Sequence, residues 1–265
     1  MLDVWYFMLS TTLCMTKFLC TFIVMTYKKP GYVEADPQLN WSEVVEKVPS
    51  KHLCFECKVI RPPRSQHCNV CNKCVDRYEA HSFWTNNCVG RLNSGYYFAW
   101  VFYVWLNVFL LGWISMSTIR ITACEIDHCI YEPLCVGCHN LYVHYFVCYF
   151  DMIVCFGFMI PATYHLWIQC ANFGKNETTY ERFARKNRKP NTLTQDDSYL
   201  DTVAGNDEEL LPSNKAPRRR GKEGYWANCG QMCCNKQIVS QATLMQLILS
   251  DIEYSELEAA DLANK

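Results

Sequence analysis

The sequence carries almost no net charge, because its 25 lysine and arginine residues are balanced by 26 aspartate and glutamate residues. Proteins that bind the phosphate backbone of nucleic acids need an excess of basic residues, so this balance argues against a nucleic-acid partner. The chain also lacks the features of a secretory signal peptide. Its first apolar segment has no basic leading region and no small-residue cleavage site, and Lys28 and Lys29 follow it, which favours a retained membrane anchor.

Long apolar runs are present instead. Half of the residues are hydrophobic although 19% are charged, a mixture typical of apolar segments that alternate with polar ones. Three runs, at about 4–27, 96–119 and 142–168, each exceed the ~20 residues that cross the hydrocarbon of a bilayer. Aromatic residues flank each run, as membrane interfaces favour. The sequence therefore predicts an α-helical polytopic membrane protein with three spans.

Two charged residues, Lys17 and Asp151, lie inside the predicted spans. Ions are costly in hydrocarbon unless they face a protein interior or a cavity. The two residues either pair between helices or belong to a buried functional site, and Lys17 has the further option of extending toward the membrane surface.

The distribution of basic residues predicts the topology. Residues 28–95 contain ten lysines and arginines, whereas 123–140 contain none. Basic loops remain in the cytosol, so we expect 28–95 and the C-terminal tail to be cytosolic and the short loop to be lumenal. Cytosolic cysteines stay reduced, whereas cysteines in an oxidising lumen could form two disulfides in any of three connectivities. The cysteines of the short loop are Cys124, Cys129, Cys135 and Cys138.

Six cysteines and two histidines recur at short intervals between residues 54 and 88. Thiolate sulfur and imidazole nitrogen are the ligands of closed, four-coordinate zinc sites, and eight such ligands make two Cys3His sites. A stretch this short cannot build a large core, so we expect zinc to supply on the order of 10 kcal/mol of its folding free energy. The ligands are spaced Cys54-x2-Cys57-x9-His67-Cys68-x2-Cys71-x2-Cys74-x6-His81-x6-Cys88.

The predicted domain organisation follows from the spans and the metal motif. It comprises a cytosolic zinc domain between spans 1 and 2, a loop between spans 2 and 3, and a cytosolic tail. The predicted segments are span 1 at 1–27, the zinc domain at 28–95, span 2 at 96–119, the loop at 120–141, span 3 at 142–168 and the tail at 169–265.

Further residues surround the metal ligands and follow the last span. They are Arg61-Pro62, Arg64, Arg77-Tyr78, Trp84, Asn86-Asn87-Cys88-Val89-Gly90, Asn93 and Thr178-Thr179-Tyr180-Glu181, together with Pro30-Gly31 and a weaker match at Tyr225 to Asn228. This pattern, over about residues 28–182, closely resembles the DHHC protein S-acyltransferases (palmitoyltransferases).

The resemblance implies a fold, a donor and a location. It implies acyl-coenzyme A, such as palmitoyl-CoA, as the family's acyl donor, an endomembrane (ER or Golgi) location, and contact with membrane lipid and with cytosolic protein substrates or partners. The family usually has four spans, so either the first helix is absent here or the sequence begins at an internal methionine. Its interleaved zinc ions would assign Cys54, Cys57, His67 and Cys74 to one ion and Cys68, Cys71, His81 and Cys88 to the other.

The family's Asp-His-His-Cys signature falls on Glu79-Ala80-His81-Ser82, so only the zinc ligand His81 is kept. In the family, the cysteine takes an acyl group from acyl-coenzyme A and passes it to a substrate cysteine, with the first histidine as base and the acid as its orienter. The candidate catalytic positions are therefore Ser82, Glu79 and Thr179, with Ala80 in place of the base. Serine without a base stays protonated, and an acyl-serine ester reacts poorly with a second thiol.

Three functional hypotheses remain. The chain is a catalytically impaired relative that keeps its zinc domain and helices for binding, which the intact ligands beside the altered signature favour. Alternatively, it still transfers acyl groups through Ser82 or by direct attack of a substrate thiol on acyl-coenzyme A. The third hypothesis is a non-catalytic membrane zinc-binding adaptor. A RING-type ubiquitin ligase needs wider spacing between ligand pairs and is disfavoured.

The C-terminal tail has three predicted parts. Residues 187–217 are polar and acidic and are typical of a flexible linker. A basic patch, Arg218 to Arg220 with Lys222, precedes Cys229, Cys233 and Cys234 and could contact an anionic membrane, with those cysteines as acylation targets. From residue 241 onward, a helical apolar spacing predicts an amphipathic helix for a partner, with the apolar residues Leu244, Leu247, Ile248, Ile252 and Leu257.

Overall fold

The computed structural model describes residues 2–131, 138–187, 224–234, 238–250 and 252. Its side chains are described except at 2–8, 122–131, 138–141, 187 and 233–234. The chain divides into two compact units, one formed by Met1–Val24 and Tyr96–Cys170 and the other by Met25–Gly95 and Ala171–Lys265. The predicted disulfide cysteines, the basic patch at 218–222 and Leu257 lie outside the described residues or side chains.

Among the residues that the structure describes, three long helices are apolar enough to cross a membrane, which confirms the predicted fold class. They are α1 at Leu2–Tyr27, α3 at Ser94–Tyr131 and α4 at Cys138–Lys175. Their apolar segments measure 19, 28 and 34 residues, and about 20 residues are needed to cross the hydrocarbon. Because α3 and α4 run far past the predicted span limits, the predicted loop at 120–141 is largely helical.

Polar side chains join α3 and α4 within the first unit. The Tyr97 hydroxyl lies 2.9 Å from Nε2 of His165, and the indole of Trp105 donates to Thr163 over 3.0 Å. Ser115 donates to the carboxylate of Asp151. The ion pair between Lys17 and Asp151 that the sequence allowed is absent among the described residues, because Asp151 is bound by Ser115 and Lys17 is exposed.

The described part of the second unit contains three small antiparallel hairpins in sequence order. In the second and third hairpins a histidine lies directly opposite a cysteine, His67 opposite Cys74 and His81 opposite Cys88. Lys58, Asn72 and Asn86 have positive φ, and asparagine tolerates this conformation well. The strands are β1 at Leu53–Cys54, β2 at Val59–Ile60, β3 at Gln66–Cys68, β4 at Lys73–Val75, β5 at Ala80–Ser82 and β6 at Asn87–Val89.

The apolar core of the second unit lies beside the first hairpin. Helix α2 at Trp41–Lys47 begins at Asn40, whose side chain accepts from the backbone N–H of Ser42 over 3.2 Å, a helix N-cap. The buried side chains of this core are Val44, Val48, Leu53, Ile60, Leu244 and Ile248.

The last two residues of that core come from the helical segment 241–250, here called α7. Gln241 fixes its position, because the side-chain amide donates to the Ile60 carbonyl over 3.0 Å and accepts from the Ile60 N–H over 2.7 Å. The expectation that this amphipathic helix serves a separate partner was wrong for its buried face. Leu244 and Ile248 instead pack inside this chain, since α2 and the first hairpin offer an apolar surface.

Candidate metal centre and degenerate signature site

The first ligand cluster comprises Cys54, Cys57, His67 and Cys74, whose ligand atoms lie within 4.8 Å of one another. Nδ1 of His67 lies 3.6, 3.3 and 3.9 Å from the sulfurs of Cys54, Cys57 and Cys74. A tetrahedral ion with Zn–S of about 2.3 Å and Zn–N of about 2.0 Å separates sulfur from nitrogen by roughly 3.5 Å. The cluster therefore has the size of a zinc site.

The second cluster comprises Cys68, Cys71, His81 and Cys88 and has the same geometry. Nδ1 of His81 lies 3.7, 3.4 and 3.6 Å from the three sulfurs, and the sulfurs of Cys71 and Cys88 are 3.4 Å apart. The two clusters fit two zinc ions, and their membership is the interleaved set that the resemblance implied.

Interleaving follows from the hairpins. His67 and Cys68 are neighbours on β3 but belong to different clusters, and successive side chains of a strand point to opposite sides. The strand therefore connects both clusters, and loss of either ion should loosen the other.

The electrostatics of the clusters are those of thiols that ionise together only when a cation is bound. Burial raises the pKa of the Cys74 thiol, and the neighbouring Cys54 raises it further through a hydrogen bond and its charge. Burial and Cys68 raise the pKa of the Cys88 thiol in the same way. Both cysteines are fully buried. Three thiolates at this separation repel one another, so a bound metal ion is what would hold them ionised together.

A carboxylate supports the first cluster from outside. Since Nδ1 of His67 faces the sulfurs, its Nε2 points away, and it lies 2.7 Å from a carboxylate oxygen of Glu56. The ring nitrogen is not aligned for a hydrogen bond to this oxygen, so the contact is electrostatic. A carboxylate in this position favours the tautomer with Nδ1 free to bind metal.

The acidic position of the signature, Glu79, is buried and hydrogen-bonded. Glu79 is 6% exposed and accepts hydrogen bonds from the backbone N–H of Thr179, over 3.0 Å, and from its hydroxyl. Asn172 donates to the same hydroxyl oxygen over 2.8 Å. Thus two of the three candidate catalytic positions, Glu79 and Thr179, are in direct contact.

The nucleophile position, Ser82, ends strand β5 and is 9% exposed. Its hydroxyl oxygen accepts from the backbone N–H of Thr85 over 3.4 Å and so supports the hairpin turn. No histidine or carboxylate hydrogen-bonds to this hydroxyl in the part of the chain that the structure describes. Ala80, at the base position, is half-buried and pairs with Val89.

The Thr-Thr-x-Glu motif forms the start of helix α5, at Thr179–Asn187. The Thr178 hydroxyl accepts from the Glu181 N–H over 3.2 Å, and the Glu181 carboxylate accepts from the Thr178 N–H over 2.8 Å, a capping box. The same carboxylate binds the buried Arg64 at 2.7 and 3.0 Å. The motif thus presents Thr179 to Glu79 and fastens its helix to the zinc domain.

Asn176 organises a buried polar network that the sequence did not reveal. Its side-chain oxygen accepts from Arg77 over 2.7 Å and from Arg64 over 3.2 Å, while its amide nitrogen donates to Gln231. Arg77 also donates to the Gln231 carbonyl over 2.8 Å. The sequence shows Asn176 only as part of a glycosylation sequon, and its burial beside two arginines depends on contacts between distant segments.

The weak C-terminal match has a clear structural role. Helix α6 at Tyr225–Cys234 follows the undescribed linker, and Asn228 donates to the carbonyl of Gly174 over 2.8 Å. A Cβ atom at Gly174 would lie 2.6 Å from the Tyr225 ring, so a larger residue there would displace that ring. These contacts join α6 to the end of α4.

Two further motif residues, Asn87 and Asn93, make structural hydrogen bonds. Asn87 donates to the carbonyls of Met25 and Lys28 over 2.9 and 2.8 Å, which caps the C-terminal end of α1. Asn93 accepts from Gly90 and donates to the Cys88 carbonyl, over 2.8 and 2.9 Å. The residues around the ligand Cys88 therefore contact the C-terminal end of α1 and lie next to the start of α3.

The fold and site define a class first: an integral membrane protein with three candidate spans and a two-cluster Cys3His zinc module between the first and the second. The family follows from comparison, since the sequence model of the DHHC palmitoyltransferase family matches residues 47–186. The chain belongs to the DHHC palmitoyltransferase family.

Curated relatives agree. The chain is 28% identical over 159 residues to "Palmitoyltransferase ZDHHC9" of Danio rerio. The aligned region covers 58% of this chain and 39% of that protein. The chain is 26% identical over 159 residues to the Homo sapiens protein of that name, covering 58% and 41%, and 43% identical over 75 residues to "Palmitoyltransferase ZDHHC18" of Mus musculus, covering 28% and 17%. The chain thus spans about two fifths of the ZDHHC9 relatives.

Proposed function

We propose that this chain is a catalytically impaired member of the palmitoyltransferase family that keeps the zinc scaffold for binding. The observation that carries the proposal is the serine at the nucleophile position, whose hydroxyl supports a turn and has no base beside it. The impairment is thus local to two residues, Ala80 and Ser82.

The chemistry explains why both replacements matter. A serine hydroxyl becomes a useful nucleophile when an adjacent base takes its proton, and Ala80 has no group that accepts one. Loss of a general base alone costs about 10²- to 10⁴-fold in rate, and a hydroxyl is a poorer nucleophile than a partly ionised thiol. An ester on Ser82 would also be a poor donor to a second thiol, so turnover would stop there.

What remains is a scaffold suited to binding. We propose that the eight ligands hold two structural zinc ions, that the zinc domain and tail are cytosolic in an endomembrane, and that the helices contact lipid. Acyl-CoA, the donor implied by the family, and a cytosolic protein are the ligands to test first. The contact between Glu79 and Thr179 supports a binding role, because it maintains the shape of the site although the base is absent.

Residual acyl transfer is the second candidate, favoured by the presence of a hydroxyl, that of Ser82 on β5, at the family's nucleophile position. The two candidates separate when cells expressing the full chain are labelled with a traceable palmitate analogue and treated with neutral hydroxylamine, which cleaves thioesters and spares oxygen esters. Label that resists hydroxylamine and disappears in Ser82→Ala, but persists in the control Ser42→Ala, would establish acyl-serine and refute the impaired function.

A gain-of-function experiment tests the same proposal from the other side. Purified wild-type protein should release coenzyme A from palmitoyl-CoA at the background rate. The triple variant Glu79→Asp, Ala80→His, Ser82→Cys should become acylated through a hydroxylamine-sensitive bond, whereas its double control, which keeps Ser82, should not. Zinc content near two ions per chain shows that each variant is folded.

A further inference from the structure

Asn172 begins a buried chain of hydrogen bonds that ends on the acidic position of the signature. It lies near the end of helix α4 and is 0% exposed. Its side-chain nitrogen lies 2.8 Å from the hydroxyl oxygen of Thr179. That hydroxyl contacts one carboxylate oxygen of Glu79, and the backbone N–H of Thr179 donates to the other oxygen over 3.0 Å. Thr179 therefore stands between the amide of Asn172 and the carboxylate of Glu79.

The direction of these hydrogen bonds follows from the number of protons. A threonine hydroxyl has one proton to donate, whereas a carboxylate oxygen accepts. The hydroxyl proton of Thr179 must therefore point to Glu79, and the next member of the chain must donate to the hydroxyl oxygen. The amide nitrogen of Asn172 is such a donor, and its hydrogen bond holds the hydroxyl in this direction.

The oxygen of the Asn172 side chain has no comparable partner. It is buried and accepts no hydrogen bond in the part of the chain that the structure describes. A buried acceptor without a donor is costly, and leucine has nearly the same shape without that cost. A role in filling space would therefore favour leucine at this position. Donation to the Thr179 hydroxyl is the interaction that explains an amide here.

We propose that Asn172 is a positioning residue of the signature site, which directs the Thr179 hydroxyl to Glu79 and so fixes the carboxylate. The three side chains connect the end of α4 and the start of α5 to the residue before strand β5. The inference rests on the proposed function for its purpose, a site whose shape is kept for binding. Its test measures no acyl transfer, so it does not depend on whether Ser82 is acylated.

Hydrogen exchange at two neighbouring backbone amides tests the proposal. The Thr179 N–H is bonded to Glu79, so its exchange rate reports whether the carboxylate stays in place. The Thr178 N–H is bonded to the Glu181 carboxylate over 2.8 Å and is the matched control. Rates are measured at single-residue resolution on the purified full-length protein in detergent and corrected for intrinsic exchange. Zinc content equal to wild type verifies that each variant folds.

Removal of the amide should release one of the two backbone groups. Asn172→Leu should accelerate exchange of the Thr179 N–H about tenfold and change that of Thr178 by less than about twofold. Asn172→Ala, which adds no apolar bulk, should give the same result. The proposal is overturned if the Thr179 rate is unchanged in these variants. Equal acceleration of both amides would also overturn it, because Asn172 would then only support the start of α5.

Variants of Thr179 decide whether the effect passes through the hydroxyl. Asn172→Leu should have no further effect in a Thr179→Val background, which lacks the hydroxyl, and should keep its effect in Thr179→Ser, which retains it. An effect that persists in full in Thr179→Val contradicts the proposal. Detection of acyl-Ser82 would refute the proposed function and leave the positioning role of Asn172 standing.

Discussion

Gly90→Ala should destabilise the zinc module through a steric clash with its neighbours. A Cβ atom at Gly90 would lie 2.5 Å from a methyl carbon of Val75, 2.7 Å from the Pro30 carbonyl oxygen and 2.8 Å from the Asp76 carbonyl oxygen. All three distances are shorter than atoms in contact allow. Two of the three atoms belong to the backbone, so no side-chain rotation relieves the clash.

The expected cost follows from this geometry. Overpacking of a well-packed interior costs about 1–3 kcal/mol, and the rigid neighbours at Gly90 place the value at the upper end, about 3 kcal/mol. Val75 follows the zinc ligand Cys74 on β4, and Gly90 lies two residues after Cys88. Relief of the clash therefore displaces ligands of both clusters.

The assay is the release of zinc from purified full-length protein in detergent to an excess of a chromogenic chelator. If zinc is released when the module opens, a loss of about 3 kcal/mol in the module's stability accelerates zinc release by roughly two orders of magnitude. The matched control is Gly230→Ala on α6, where a Cβ atom would meet nothing within 4 Å. This change should be neutral or slightly stabilising, because alanine favours helix. Equal release rates for the two variants would refute the reasoning.

Three further predictions concern the same unit. Chelation of zinc should abolish the tertiary fold of the cysteine-rich region while the helical circular dichroism of the spans persists, and two zinc ions per chain should restore it. Asn176→Ala removes an acceptor shared by the buried Arg64 and Arg77, so thermal stability should fall by the equivalent of about 2–4 kcal/mol. Asn176→Asp should cost less, because it keeps the acceptor and loses only the donation to Gln231. Leu244→Ala should lower the free energy of unfolding by about 2–5 kcal/mol, because it leaves a cavity in the core. Gln246→Ala changes an exposed residue of the same helix and should leave the thermal unfolding curve unchanged.

The sequence predicted the parts of the protein that depend on local composition and spacing. Apolar length gives the three spans, and the number and spacing of the Cys and His residues give eight ligands for two sites. The division of these ligands into two clusters came from the family resemblance, because Cys71 and Cys74 are also separated by two residues and yet belong to different clusters. The Asn176 network was not predictable in this way. Its arginine contacts join residues that are 99 to 154 positions apart in sequence, and no short sequence pattern indicates which buried arginine contacts which amide.

The C-terminal helix α7 shows a second limit. Its periodicity predicted an apolar face correctly but could not say what covers that face. The structure provides the answer in Gln241, whose amide pairs with both backbone groups of Ile60 and so fixes α7 against the first hairpin. A glutamine at the start of a helix is too common to signal such a contact.

Strand β5 explains how chemistry can be lost while the scaffold is kept. Successive residues of a strand point to opposite sides, so His81 faces the second cluster while Ala80 and Ser82 face away from it. The zinc ligand and the altered signature positions thus occupy different faces of one three-residue strand. Replacement of a base by alanine and of a thiol by a hydroxyl removes no metal ligand, and the Glu79 carboxylate keeps its partner in Thr179. For the same reason, restoring the signature at these positions should leave zinc binding intact, so an inactive restored variant that holds two zinc ions would place the defect outside Ala80 and Ser82.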